Sequence, residues 1–139
     1  MKLLFVRHGE PDYAIDSLTE KGWREAEYLA NKLACLDMKE IYVTICGRAK
    51  DTALPTLNKT GRTAIECEWL QEFVNTPICR PDLPKELSVP WDWLPNDWSK
   101  DKRFFHKELW GENELFTKSH VKEEYDRVIR EFDSLLERH

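Results

Sequence analysis

Three short runs rich in apolar and β-branched residues, at 2–6, 41–45 and 63–69, alternate with two stretches of helical periodicity in the first half of this chain. Strand, helix, strand, helix, strand is the order that builds an α/β fold, a mostly parallel sheet with helices on both faces. The run from Lys2 to Val6 is continuously apolar after its lysine, which suits an interior strand buried on both faces. Residues 10–18 read as loop. From Thr19 the positions Trp23, Ala26, Ala30 and Leu33 recur at helical spacing, with Ser17 and Glu20 as a capping box. Ile41 to Ile45 is the second strand, and Gly47 opens a segment of helical composition, Arg48 to Leu57, despite Pro55. Thr63 to Trp69 is the third strand.

In such sheets ligands gather beyond the carboxyl ends of the strands. Three polar residues fall there: His8 after the first strand, Arg48 after the second and Glu72 after the third. The tripeptide Arg7-His8-Gly9 is suited to phosphorus chemistry. An imidazole keeps a neutral, nucleophilic fraction near pH 7, and a planar guanidinium matches phosphate oxygens. On its own, the tripeptide also fits a strand end with a solvated arginine and a hydrogen-bonded histidine. For Arg48 the alternative is a surface cation at a helix start, where the dipole disfavours it unless an anion binds nearby. For Glu72 the alternative is a solvated loop carboxylate.

The 139 residues, 41% hydrophobic and 34% charged, fit one domain spanning 1–139. A net charge of -5 argues against a broad nucleic-acid-binding face and favours a small anionic partner, a phosphorylated metabolite. Cys35, Cys46, Cys67 and Cys79 show no Cys-x-x-Cys spacing, so they read as reduced, largely buried thiols. Neither a metal nor a cofactor is expected. The opening apolar run is too short for a signal segment and nothing approaches a membrane span, so the expected location is cytoplasmic.

Residues 74–116 hold five of the seven prolines and four of the six tryptophans. Such a stretch reads either as an ordered flap over the strand ends, with a short helix near 97–110, or as aromatic packing that covers the sheet. From Lys118 to Arg138, Val121, Tyr125, Val128, Phe132, Leu135 and Leu136 form a helical stripe.

The segment Leu4-Phe5-Val6-Arg7-His8-Gly9-Glu10 resembles the signature of the histidine phosphatase, or phosphoglycerate mutase-like, superfamily. Leu18-Thr19-Glu20-Lys21-Gly22 with Glu25-Ala26 resembles that family's first-helix entry, residues 41–49 its second strand and phosphate arginine, and Leu70-Gln71-Glu72 its acidic motif. The resemblance spans 3–73 and implies that His8 is the phosphorylated nucleophile. It also implies that Arg7 and Arg48 bind the phosphoryl oxygens and that Glu72 protonates the leaving group. Two departures stand out. Thr44-Ile45-Cys46 replaces the usual Ser-Pro before Gly47-Arg48, and the family's second active-site histidine, followed by glycine at the end of a later strand, has no counterpart. None of His106, His120 and His139 has that context.

In the family that strand lies inside the sheet, so the expected fold is phosphoglycerate mutase-like but incomplete, as in the N-terminal part of a longer protein. Self-association could complete the sheet. The expected function is a phosphatase acting on a small phosphomonoester, the 139-residue chain itself being weakly active or inactive. Two alternatives stay open: a phosphoglycerate-type mutase, for which residues 10–18 are short, and a non-catalytic phosphate-binding or protein-interaction module.

Overall fold

In the computed structural model, which describes residues 2–71, 78 and 93–139, Thr19 starts the first helix, α1 (Glu20–Leu33). Its hydroxyl accepts the Gly22 N–H at 3.1 Å, satisfying one of the amides that a helix start leaves open. The cap is therefore Thr19 and not the Ser17–Glu20 box expected from sequence. Ser17 instead donates its hydroxyl to the Asp51 carboxylate. The chain divides into two units, Met1–Gln71 and Glu72–His139.

In the first unit, residues 10–18 are more ordered than a plain loop. Two short strands, β1 (Pro11–Asp12) and β2 (Ser17–Leu18), pair antiparallel. β3 (Tyr42–Val43) leads into α2 (Gly47–Thr60), and β4 (Ile65–Glu66) returns parallel to β3. The Ile65 and Cys67 amides donate to the Ile41 and Val43 carbonyls, each at 2.8 Å. A 3₁₀ turn follows at Glu68–Leu70, with Trp69 buried. This is a mixed α/β unit of helices and small sheets.

Helices α1 and α2 pack against each other. The buried stripe of α1 is Gly22, Ala26 and Ala30, and that of α2 is Thr52, Pro55 and Thr56. Small residues four apart let the backbones come close, and Pro55 is tolerated inside the 14-residue helix. Gly22 has a second constraint. A Cβ built there would lie 2.2 Å from the Glu10 carbonyl oxygen, a backbone atom that cannot swing aside. Gly22→Ala should therefore lower stability by about 1–3 kcal/mol even though alanine is the better helix former. The urea midpoint measures this, and an unchanged or higher midpoint would contradict it.

The run 2–6 is not the buried strand that the sequence predicts. Residues 2–9 carry no regular structure, and Leu3, Leu4, Phe5 and Val6 are 42%, 58%, 76% and 45% exposed. Apolar composition favours a strand, but a strand forms only against a neighbour that takes up its N–H and C=O groups. Among the described residues the sheets are the pairs β1–β2 and β3–β4, and neither includes this run. The parallel arrangement is thus seen in β3–β4 alone.

In the second unit, Ile78, Trp93, Phe116 and Val121 form a buried cluster joined by Trp98, Phe104, Trp110 and Leu115. The rings of Trp98 and Phe104 meet edge-on with centroids 5.2 Å apart, and those of Trp110 and Tyr125 do the same at 5.0 Å. Such tilted geometry suits the aromatic quadrupole. The tryptophans at 93, 98 and 110 thus build a local core. The helix expected near 97–110 is the shorter α3 (Pro95–Lys100), followed by 3₁₀ turns at Lys102–Phe105 and Trp110–Glu112. Asp101 binds the Arg103 guanidinium and the Asn113 amide, which together hold its carboxyl far below the usual range.

Short α4 (Glu114–Lys118) precedes α5 (Val121–Glu137), where Val121 and Leu135 are buried as the stripe predicts while Tyr125 is 41% exposed. Cys46 and Cys67 are buried; Cys35, expected to be buried, is exposed. Cys79 lies outside the described residues. No helix among the described residues is long and apolar enough to cross a membrane.

Candidate active site

His8 is half-buried, and its Nδ1 lies 2.8 Å from the carbonyl oxygen of Gly9. A carbonyl only accepts, so Nδ1 carries the proton in this bond. The neutral ring then has its lone pair on Nε2. Gly9 is fixed in turn: its N–H donates to the Thr52 hydroxyl at 3.0 Å, and that hydroxyl donates to the Arg48 carbonyl at 2.7 Å. This relay ties the His8 segment to the first turns of α2. Thr52 is 5% exposed, so removing its hydroxyl leaves the Gly9 N–H without its acceptor. Thr52→Val, which keeps the shape, should cost about 1–3 kcal/mol in a denaturation experiment. A change within error would show that the relay contributes nothing.

Arg48 sits at the amino end of α2 with its side chain 12% exposed. Its Nη1 donates to Asp16 Oδ1 at 2.7 Å, and its backbone N–H reaches the same oxygen at 3.5 Å. The Gly47 N–H donates to Asp16 Oδ2 at 2.7 Å. Both carboxylate oxygens of Asp16 therefore cover the start of the helix, where N–H groups and dipole favour an anion. Gly47 permits the approach, since a Cβ there would stand 2.1 Å from the Asp16 carbonyl oxygen. The Gly47 N–H, and then Arg48, hold the Asp16 carboxyl below its ordinary range. The stability this adds is present above that range and fades as pH falls through the lowered value. The Tyr13 ring lies 5.5 Å from the guanidinium carbon, on one face of Arg48.

Of the other candidates, Arg7 is exposed beside His8, and Glu72 lies outside the described residues. Glu10, which completes the Arg-His-Gly-Glu run, faces α1. It accepts from Lys21 at 2.6 Å and from Thr19 at 3.0 Å, and these bonds, Lys21 first, hold its carboxyl low. His8 and Arg48 are thus linked through Thr52. Sequence reasoning missed Thr52 and Asp16. Thr52 stands one helical turn after Arg48, the spacing at which a threonine hydroxyl meets the preceding carbonyl. Asp16 carries no such local signal. No cluster of three metal-ligating side chains occurs among the described residues.

A family model for the histidine phosphatase superfamily (branch 1) matches residues 3–139. The chain belongs to that superfamily. No curated protein matches it. The match runs beyond the motifs at 3–73 and takes in both units of the chain, including the tryptophan-rich stretch and α5. The superfamily contains phosphatases and mutases, and membership in it supports phosphatase or mutase chemistry for this chain at that level.

Proposed function

We propose that this chain, a member of the histidine phosphatase superfamily, hydrolyses a small phosphomonoester through a phosphohistidine on His8. The observation that carries the reading is the Nδ1 bond to Gly9, which leaves Nε2 as the nucleophilic nitrogen on a segment tied to Arg48. In the first step Nε2 forms a bond to phosphorus while the bond from phosphorus to the ester oxygen breaks. Glu72 gives that oxygen its proton. Arg7 and Arg48 take the charge on the phosphoryl oxygens, where planar guanidinium donors bind most strongly. In the second step water attacks phosphorus, its proton passes to Glu72, and phosphate leaves with the His8 ring restored.

Phosphate-monoester cleavage is among the slowest uncatalysed reactions, so nucleophile, clamp and acid must act together. The sequence has His-Gly at residues 8–9 alone. Loss of one charge-stabilising donor costs about 3–4 kcal/mol, so turnover is expected to be slow. The test is p-nitrophenyl phosphate hydrolysis followed over long times, beside exchange between 2- and 3-phosphoglycerate. Free phosphate without exchange supports a phosphatase, exchange supports a mutase, and neither product would leave a binding module.

A further inference from the structure

We propose that Asp16 is a built-in counter-anion that closes the phosphate site at the amino end of α2 and is displaced when a phosphomonoester binds. This rests on the reading of Arg48 as a phosphate ligand. Three donors converge there: the Gly47 N–H, the Arg48 N–H and Arg48 Nη1. They are the donors a phosphoryl group at this helix start would take, and all three are given to one carboxylate of the same chain. With the Arg48 side chain 12% exposed, a second anion has little of the guanidinium left to approach.

The gate is built to be removable. Asp16 is held at φ 47°, in the left-handed region that costs a residue other than glycine free energy. Its side chain remains 49% exposed, so water can take over the carboxylate as it leaves. Tyr13 and Ile15 beside it are 70% and 69% exposed, so little packing opposes the movement of the loop between β1 and β2. A phosphoryl dianion carries more charge and more acceptor oxygens than a carboxylate, which favours it at the same donors. In this account Asp16 keeps Arg48 ordered when the site has no substrate and makes the site respond weakly to singly charged anions.

The experiment is a calorimetric titration with inorganic phosphate of the wild-type chain, Asp16→Asn, Asp16→Gly, Arg48→Gln and the Asp16→Asn/Arg48→Gln double variant. Asparagine keeps the shape and removes the charge; glycine also suits the left-handed backbone. If the closed form outnumbers the open one by about ten to one, removing the gate tightens phosphate binding about tenfold. That gain should vanish in the double variant. Unchanged or weaker binding in both Asp16 variants, with Arg48→Gln still lowering affinity, would overturn the gate and make Asp16 a positioning residue for Arg48. Phosphate binding indifferent to Arg48→Gln, or absent in every variant, would overturn both the gate and the reading it rests on.

A wild-type measurement needs no variant to fold. During the phosphate titration, the NMR signals of the Gly47 amide and the Asp16 carboxyl carbon should move with one midpoint. A response at Gly47 with none at Asp16 would contradict displacement.

Discussion

His8→Asn should abolish turnover of p-nitrophenyl phosphate, lowering the rate by a factor on the order of 10³ or more. The size follows from the role. Without Nε2 there is no covalent intermediate, and the remaining donors can only orient the substrate. Asparagine is the informative replacement because its amide still reaches neighbouring carbonyls, so folding should survive. The Gly9 N–H bond to Thr52, which holds this segment, does not involve the His8 side chain. Equal loss of activity and of thermal stability would instead mean that His8 acts on the fold. Replacing His106 or His120 should leave the rate within a factor of a few.

Arg48→Gln should lower kcat/KM by about 10²–10³, the usual cost of one donor aimed at developing charge. Arg48→Lys should restore little of it, because a point charge does not reproduce the planar fork that meets two oxygens at once. The substitution also acts on the ground state. It takes away the ion pair to Asp16 at 2.7 Å, so part of the loss reflects a less ordered helix start. A weaker affinity for inorganic phosphate together with a lower kcat is the expected pattern. A change in stability alone would place Arg48 in the scaffold.

Much of the first unit was legible because its signals are local. The apolar periodicity of residues 19–36 appears as α1, and the composition of 48–57 appears as α2 with Pro55 inside it. The start of α1 near Thr19 was legible, but its cap was not: Ser17 and Glu20 have capping-box spacing, while the capping hydroxyl is that of Thr19. Ser17 is drawn away to Asp51, while the Thr19 hydroxyl that caps the helix also donates to Glu10, choices that depend on loops folding back. The run 2–6 misled for a deeper reason. Apolar content states a preference to be covered, while a strand requires a particular neighbour, and no composition supplies one.

At the site the same division holds. His8 and Arg48 were visible as residue types next to turn-forming glycines. Thr52 and Asp16 were not, because their roles exist only once Gly9 and the loop at 13–16 reach α2. The aromatic richness of 93–116 was plain, yet only the ring contacts show that these side chains pack into a core of their own around Trp93 and Phe116. Glu72 rests on sequence and on the family alone.

The chemistry proposed for this chain turns on phosphorus becoming bonded to one ring nitrogen near the amino terminus. Mixing the chain with a radiolabelled phosphomonoester, quenching rapidly in alkali and mapping the label tests it most directly. An acid-labile phosphoryl group should be found on His8 and be absent from His8→Asn. An unlabelled chain, or a label that survives acid or sits on another residue, would contradict it.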